Sequence, residues 1–341
     1  MRTGNTLVPR FSHTATLLPN HNVLIAGGME RNGVWLSSAE IYDPAKAQFT
    51  SAAEMSAPRA GATATLLSNG KVLIAGGSTG AGKSTASAEL FDPERNAFTA
   101  TGSMHTPRAH AVAVLLANGK VLIAGGGEAG DENRSASAEI YDPTSGTFSS
   151  TGSMHVSRAS FSATRLKNGR VLVTGGDSTG QLPKPTVEAS SEIYDPETGR
   201  FSLAGNMAVP RYKHGSALLP DGSVLIVGGQ NNDSFSLKET EIFDPATGKF
   251  LHGPDLSMPR FKLPAGVVAL KDGRILIGGG GDQVEMYTPT TNSFSLVSGT
   301  VLDGYLFSSE TLLADGKVLL VGGYGHHPMS GAVNHAWIWK P

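Results

Sequence analysis

The stretch VLIAGG at residues 23–28 decides the fold, because close copies of it recur along the whole chain. An apolar run ends on a Gly-Gly pair seven times, and consecutive pairs are 43 to 53 residues apart. The copies are VLIAGG at 23–28, 72–77 and 121–126, VLVTGG at 171–176, VLIVGG at 224–229, ILIGGG at 275–280 and VLLVGG at 318–323. A fixed period of about 50 residues is typical of repeat architectures. Since the repeats fill all 341 residues, we predict one domain over 1–341.

Each repeat is predicted to hold four short antiparallel strands. A strand of small residues, such as AGATATLL at 60–67, leads to an Asn-Gly or Asp-Gly turn. These dipeptides accept the positive φ angles that a type I′ hairpin requires. The apolar KVLIAGG strand, a variable polar loop, a third strand such as SAEIYDP within 37–44 and a fourth strand around a Phe follow. No apolar i, i+3, i+4 pattern persists for ten residues, so the chain is predicted to be all-β.

Four-stranded sheets of this size cannot bury their own faces and must stack on neighbours, and a radial stack is a β-propeller. A linear stack would need polar capping repeats, which neither end of the sequence has. The last unit stops at AWIWKP (336–341), which matches a third strand, while TGNTLVPR (3–10) aligns with TGSMHTPR (101–108). We therefore predict a closed seven-bladed ring in which residues 1–9 supply the outer strand of the last blade.

The composition limits the function classes. Charged residues make up 16%, and 27 Lys+Arg against 29 Asp+Glu give a formal net charge of −2. This balance gives no electrostatic reason to bind nucleic acid or an anionic membrane, so neither partner is expected. No apolar run is long enough to span a bilayer. The absence of Cys excludes disulfides, thiolate-bound metals and a thiol nucleophile. A monomer without a cofactor or metal is expected.

The combination of VLIAGG, Glu-Ile-Tyr-Asp-Pro, a following aromatic residue and Pro-Arg resembles the kelch repeat, most closely its long bacterial form. The resemblance implies the kelch-type propeller of the galactose oxidase superfamily, although common kelch propellers have six blades. It also implies two function classes. The first is a non-enzymatic interaction propeller, and the alternative is a carbohydrate-active enzyme, similar to a sialic-acid mutarotase or a lyase. The copper-radical oxidases of this superfamily need a Tyr–Cys crosslink, which a chain without Cys cannot form.

Localisation is indicated only by the resemblance and the composition. Low charge, abundant Ser, Thr and Gly, and the similarity to exported bacterial kelch arrays favour secretion or the periplasm over the cytoplasm. The first residues, MRTGNTLVPRF, contain no apolar segment of the signal-peptide type.

Six units carry an arginine just before the first strand and a glutamate in the third strand. The arginines are Arg10, Arg59, Arg108, Arg158, Arg211 and Arg260, and the glutamates are Glu40, Glu89, Glu139, Glu192, Glu241 and Glu285. The seventh unit has Tyr305 and Trp337 instead. Because both partners vanish together, we predict a recurring, partly buried ion pair, in which loss of one partner would strand a charge. The alternative is an arginine ring that faces the axis and binds an anion; kelch adaptors of ubiquitin ligases bind acidic peptides through arginines near this position.

The candidate site is the face that carries the variable loops. Because the strands of a blade alternate in direction, the loops after Gly-Gly lie on the same face as the segments before the first strands. Variable loops on a rigid scaffold commonly bind ligands. We expect a peptide, protein or glycan there. The candidate ligand-binding residues are Arg10, His13, Arg59, Arg108, His110, Arg158, Arg211, His214, Tyr305, Tyr324 and His326. Their convergence on one pocket with unpaired arginines would favour acidic sugars, whereas arginines paired with glutamates would favour a scaffold role.

Overall fold

The computed structural model describes residues 1–30, 33–127, 134–179, 185–263, 265–297, 305–325 and 331–340. In these ranges the assigned elements are β-strands, which form seven antiparallel sheets and one short hairpin. The all-β prediction is therefore confirmed. No helix in the described ranges is long and apolar enough to span a membrane.

In each sheet the strands lie side by side in chain order, and we number them first to fourth in blades 1 to 7. The first strands are Thr14–Leu17, Thr63–Leu66, Val112–Leu115, Ser162–Arg165, Gly215–Leu218, Val267–Ala269 and Ser309–Leu312. The second strands are Val23–Ala26, Val72–Ala75, Val121–Ala124, Val171–Thr174, Val224–Val227, Ile275–Ile277 and Val318–Val321. The third strands are Ala39–Asp43, Ala88–Asp92, Ala138–Asp142, Ser191–Asp195, Thr240–Asp244, Glu285–Thr288 and Ala336–Trp339. The fourth strands are Gln48–Ser51, Ala97–Ala100, Thr147–Ser150, Arg200–Leu203, Lys249–His252 and Ser293–Leu296. The hairpin consists of Ser78–Gly80 and Lys83–Ser84.

The first strands form the wall of the central channel. Each contacts the first strands of both neighbouring blades, and blade 7 contacts blade 1 in the same way, so the ring of seven is closed. Small side chains allow this close approach, and Ala15, Ala64, Ala113 and Ala163 line the channel.

The second strands are buried on both faces, as their unbroken apolar sequence predicts. On one side of blade 1, Val23 and Ile25 pack with residues of blade 7; on the other, Leu24 and Ala26 pack with residues of blade 2. Burying one Val, Leu or Ile side chain stabilises a fold by about 1.5–3 kcal/mol. The hydrophobic core is thus a set of layers between blades.

The Gly-Gly pair that follows this strand is required by the backbone. In blade 1, Gly27 and Gly28 have φ angles of 66° and 93°. A Cβ atom on Gly27 would lie 2.3 Å from the Arg59 carbonyl oxygen of blade 2. Only glycine combines this conformation with this approach.

The N-terminal residues lie against the outer edge of blade 7. Arg2 forms an antiparallel bridge with Trp337, and the Thr3 amide donates to the Ala336 carbonyl at 3.0 Å. The Thr3 hydroxyl contacts the Tyr42 hydroxyl at 2.7 Å, just as Thr101 contacts Tyr141 at 2.8 Å in the aligned unit. The predicted alignment of 3–10 with 101–108 therefore agrees with the structure.

The predicted extent of this strand needs a correction. Thr101 follows the fourth strand Ala97–Ala100, so only the residues before Thr3 lie at the position of a fourth strand. The remaining residues up to 9 form the connection to blade 1, where the Leu7 amide donates to the Glu40 carboxylate at 2.7 Å.

Candidate functional site

The six predicted Arg–Glu ion pairs are present. The distances between guanidinium nitrogen and carboxylate oxygen are 2.6 Å for Arg10–Glu40, 3.0 Å for Arg59–Glu89, 3.1 Å for Arg108–Glu139, 3.0 Å for Arg158–Glu192, 3.1 Å for Arg211–Glu241 and 2.9 Å for Arg260–Glu285. All six arginine side chains are 0% exposed.

The terminal guanidinium nitrogens and the carboxylate oxygens of these pairs hydrogen bond within the scaffold. In blade 4, Arg158 also donates to the carbonyl oxygens of Gly175 and Ser190, while Glu192 accepts the backbone amides of His155 and Val156. Each pair thus fastens the segment between two blades to a third strand. The alternative of an arginine ring that binds an anion is wrong, because the guanidinium groups are buried and paired. Arg10, Arg59, Arg108, Arg158 and Arg211 leave the set of candidate ligand-binding residues.

Two further candidates are also buried. Tyr305 takes the place of the arginine in blade 7, and its hydroxyl lies 3.0 Å from His335 Nδ1. The His214 Nε2 atom lies 3.0 Å from both Ser162 Oγ and Thr174 Oγ1. Burial and the charges of Arg211 and Arg158 lower the pKa of His214 to about 3, so the ring is neutral. Neither residue reaches the channel mouth.

Of the other candidates, His13, His110 and Tyr324 lie at the axis or its mouth. His13 lines the channel wall with its Nε2 atom 2.8 Å from Ser309 Oγ, and burial and the Arg10 charge lower its pKa to about 3. His110 lines the channel and Tyr324 lies at the mouth. His326 lies outside the described residues.

The predicted face is supported by backbone pairing at its rim. An arginine, or Tyr305 in blade 7, stands just before each first strand, and we call it the strand-leading Arg or Tyr. In six blades, the residue that follows it forms an antiparallel bridge with the residue after Gly-Gly. These bridges are Phe11–Met29, Ala60–Ser78, Ala109–Gly127, Ala159–Asp177, Tyr212–Gln230 and Leu306–Tyr324. The segments before the first strands and the variable loops therefore share one face.

Seven equivalent residues form a collar around the axis on this face. They lie two positions after the strand-leading Arg or Tyr, and all have left-handed φ angles between 53° and 61°. The axial collar consists of Ser12, Gly61, His110, Ser160, Lys213, Lys262 and Phe307. Six of them are not glycine, so each holds a conformation that costs an ordinary residue about 1–3 kcal/mol.

A circle of backbone hydrogen bonds holds the collar in this conformation. Each blade donates an amide to the collar carbonyl of the preceding blade, and blade 1 donates to blade 7. The bonds are Ser12 to Phe307, Gly61 to Ser12, His110 to Gly61, Ser160 to His110, Lys213 to Ser160, Leu263 to Lys213 and Phe307 to Lys262. Their lengths are 2.7–3.2 Å. The collar is therefore rigid whatever side chains it carries.

The collar surrounds a cavity of about 330 Å³ on the channel axis. Residues of all seven blades line the cavity, including Ser12, His110 and Phe307 of the collar. The wall below consists of small residues of the first strands, such as Ala64 and Thr63. This volume lies at the lower end of the range for small-molecule sites.

Two collar lysines, Lys213 and Lys262, lie against aromatic rings next to this cavity. Lys213 Nζ lies 4.6 Å from the centre of the Tyr212 ring. Lys262 Nζ lies 5.0 Å from the ring centres of Phe261 and Tyr324 and 5.4 Å from that of Phe307, and it hydrogen bonds to the Tyr324 hydroxyl. Among the described residues, neither lysine forms an ion pair with a carboxylate.

The positive charges at the mouth affect one another. Burial, followed by repulsion from Lys213, lowers the pKa of Lys262 to about 8. Solvent reaches His110 through the channel, yet the surrounding protein and the charges of Lys213 and Arg134 lower its pKa to about 4. The Arg134 guanidinium is 2.6 Å from the Asp177 carboxylate, and these two residues lie on the same side of the mouth as Lys213. The mouth is therefore an electropositive, partly desolvated site.

Sequence analysis missed Lys213, Lys262 and Phe307. Their signal was their shared position, two residues after Arg211, Arg260 and Tyr305. That position draws no notice in the sequence because its residue type changes in almost every repeat.

The family model of the kelch motif matches residues 10–56, 58–105, 108–155 and 211–257. These matches cover more than half of the chain, so the protein belongs to the kelch-repeat family. Together with the sheet order, this makes it a seven-bladed kelch β-propeller.

A solved structure with a similar fold is described as a novel fungal alcohol oxidase with catalytic diversity among the AA5 family, in complex with copper. The identity is 20% and the TM-score is 0.78, over 99% of this chain and 75% of that chain. At this identity the likeness concerns the fold alone. No curated protein matches this chain.

Proposed function

We propose that this protein is a binding propeller that holds a carboxylate group of an acidic glycan at its axial mouth. The observation that carries the proposal is the pair of partly buried lysines at consecutive collar positions, Lys213 and Lys262. Burial without a bound anion disfavours a charged ammonium group, and a carboxylate within reach would restore the favourable interaction.

The aromatic rings and the cavity support a sugar as the rest of the ligand. Tyr324 and Phe307 provide apolar surface beside the Lys262 ammonium group. The volume of about 330 Å³ accommodates one or two sugar residues rather than a folded partner. His110 and Ser12 add hydrogen-bonding groups on the rim.

The test is calorimetric titration of the full chain at pH 7 and low salt with digalacturonic acid and with galactobiose, its uncharged counterpart. We expect binding of the acid only. The double variant Lys213→Gln/Lys262→Gln should bind it at least about ten-fold more weakly, which corresponds to about 1.4 kcal/mol. Lys249→Gln, on the exposed fourth strand of blade 5, is the matched control and should bind like the parent.

Equal binding of both sugars, or unchanged binding by the double variant, would contradict the proposal. Binding of a glutamate-rich peptide without binding of digalacturonic acid would retain the lysine site but replace the glycan with an acidic peptide.

An enzyme stays the second candidate, and one contact favours it: the Lys262 amine and the Tyr324 hydroxyl are hydrogen bonded at the mouth of the cavity. The fold likeness to a copper alcohol oxidase does not extend to a Tyr–Cys cofactor, because the chain contains no Cys. Incubation of the propeller with acidic and neutral sugars, followed by analysis of the products, tests this candidate.

A further inference from the structure

We propose that Lys262 forms a reversible imine with an aldehyde or ketone group of a carboxylate-bearing ligand, with the Tyr324 hydroxyl as its proton partner. This inference rests on the proposed binding function and adds a covalent step to it. The ligand class is thereby narrowed to carbonyl acids, such as an aldehydic acid or an open-chain sugar acid.

The reacting groups are held in place from both sides. The Lys262 backbone is fixed in the collar with φ of 59°, and its carbonyl accepts the Phe307 amide at 3.2 Å. The Tyr324 ring packs edge-on against Phe11 at 4.9 Å, and its backbone bridges Leu306. The amine and the hydroxyl therefore meet without a change in the scaffold.

The collar itself does not need a lysine at this position. Equivalent positions hold Ser12, Gly61 and Ser160 with the same backbone conformation and the same circle of hydrogen bonds. A serine meets the same backbone requirements, so the collar conformation does not explain why position 262 is a lysine.

The chemistry suits nucleophilic attack at neutral pH. Burial and Lys213 lower the pKa of Lys262 to about 8, so a useful fraction of the amine is neutral near pH 7. Burial raises the pKa of Tyr324, so its hydroxyl keeps its proton and can donate it.

The proposed step is balanced without an oxidant or a metal. The neutral Lys262 Nζ attacks the carbonyl carbon, and the carbonyl oxygen takes a proton from the Tyr324 hydroxyl, while the nitrogen returns a proton to the tyrosinate. The resulting carbinolamine loses its hydroxyl as water and forms the C=N bond. Amine and carbonyl thus give imine and water, and the Lys213 ammonium pairs with the ligand carboxylate.

The test is reductive trapping of the full chain with glyoxylate and cyanoborohydride at pH 7, with adducts located by peptide mass spectrometry. We expect Lys262 to be carboxymethylated at least about ten-fold faster than the exposed Lys83 and Lys249, because burial lowers the pKa of Lys262 and the Tyr324 hydroxyl lies beside its amine. Tyr324→Phe keeps the ring and loses the proton donor, so labelling of Lys262 should slow several-fold.

Lys262→Arg is the negative control for trapping, since it keeps the charge and cannot form an imine. We expect it to give no adduct at this position. Two results overturn the imine even when digalacturonic acid binds. One is labelling of Lys262 at the same rate as Lys83, and the other is an unchanged rate of Lys262 labelling in Tyr324→Phe. Rapid Tyr324-dependent labelling without binding of digalacturonic acid would support the imine and overturn the glycan-binding function.

Discussion

At the residue scale, each of the six Arg–Glu pairs combines burial with hydrogen bonds at the terminal guanidinium nitrogens and the carboxylate oxygens. In four of them the arginine Nε has no hydrogen-bond partner among the described residues. Removing one partner of a buried pair leaves an uncompensated charge, which costs about 3–5 kcal/mol. The pairs therefore stabilise the blades only as intact units, and their joint absence from blade 7 is consistent with this rule.

The first prediction concerns Arg158 and Glu192, both fully buried in blade 4. We expect Arg158→Met to lower the free energy of unfolding by about 3–5 kcal/mol in urea denaturation, because Glu192 loses its counter-charge. Arg158→Met/Glu192→Gln should lose less than the two single changes together, and strictly additive losses would argue against a coupled pair.

A second residue-scale prediction concerns pH. Glu310, on the first strand of blade 7, accepts the Gly278 amide at 3.1 Å through Oε2, whereas Oε1 has no partner among the described residues. Burial raises the pKa of Glu310 from 4.5 to about 8. Between these two values the folded state holds a proton that the unfolded state releases, so this group makes stability fall as pH rises.

Glu310→Gln should remove this dependence. We expect the variant to match the parent near pH 5 and to exceed it near pH 8.5 by on the order of a few kcal/mol in the free energy of unfolding. Parallel stability curves for variant and parent across this range would mean that Glu310 is ionised in the folded protein.

Sequence predicted the ion pairs but not the lysine site, for a physical reason. The Arg–Glu pattern repeats six times with fixed residue types, because one geometry demands both charges. The collar fixes only the backbone, so Ser12, His110, Lys213 and Phe307 can occupy equivalent positions. Which side chains reach the axis depends on a left-handed φ angle that none of these residue types prefers.

At the element scale, blades 6 and 7 are joined differently from the others. Between blades 1 and 2, Ala26 of a second strand and Ala64 of the next first strand belong to one apolar cluster. The corresponding residues between blades 6 and 7 are Gly278 and Glu310. A Cβ atom on Gly278 would lie 2.5 Å from Glu310 Oε1, so the glycine makes room for the carboxyl group.

This exchange predicts strong coupling between the two positions. Gly278→Ala alone should cost about 1–3 kcal/mol of unfolding free energy through overpacking. Gly278→Ala/Glu310→Ala recreates the pair of blades 1 and 2 and should recover much of that loss in a double-mutant cycle measured by denaturation. If the changes in unfolding free energy of the two single variants simply add in the double variant, the two side chains do not compete for space.

The strands themselves were predictable because Asn-Gly turns, apolar second strands and Asp-Pro turns recur in order. Two local features were not. The first strand of blade 6 shortens to Val267–Ala269, and the loop of blade 2 forms the hairpin Ser78–Gly80 with Lys83–Ser84. Both lie where the repeat changes length or sequence, so no neighbouring repeat indicates the local structure.

At the scale of the whole molecule, the first residues of the chain pair with the third strand of blade 7, and we expect closure of the ring to depend on them. The alignment of the repeats predicted where these N-terminal residues lie, since equivalent repeats take equivalent positions in the ring. It did not give the extent of pairing: Met1 pairs with Ile338, and the Thr3 and Thr6 amides donate to the carbonyl oxygens of Ala336 and Asn334.

Removal of residues 1–9 should uncover the edge of the third strand Ala336–Trp339 and deprive Glu40 of two amide donors. We expect the melting temperature to fall by at least about 5 °C in calorimetry, or dimers to appear by light scattering, because an unpaired edge recruits another strand. A synthetic peptide of residues 1–9 should restore the loss, since it binds only the folded state. A truncated chain that melts like the intact one would refute this account of closure.

The circle of backbone hydrogen bonds at the collar links every blade to the next. A blade that unfolded alone would break two of these bonds and release the left-handed residues of its neighbours from the bonds that hold them. Melting is therefore cooperative over all seven blades, and a ligand bound at the axis stabilises all of them at once.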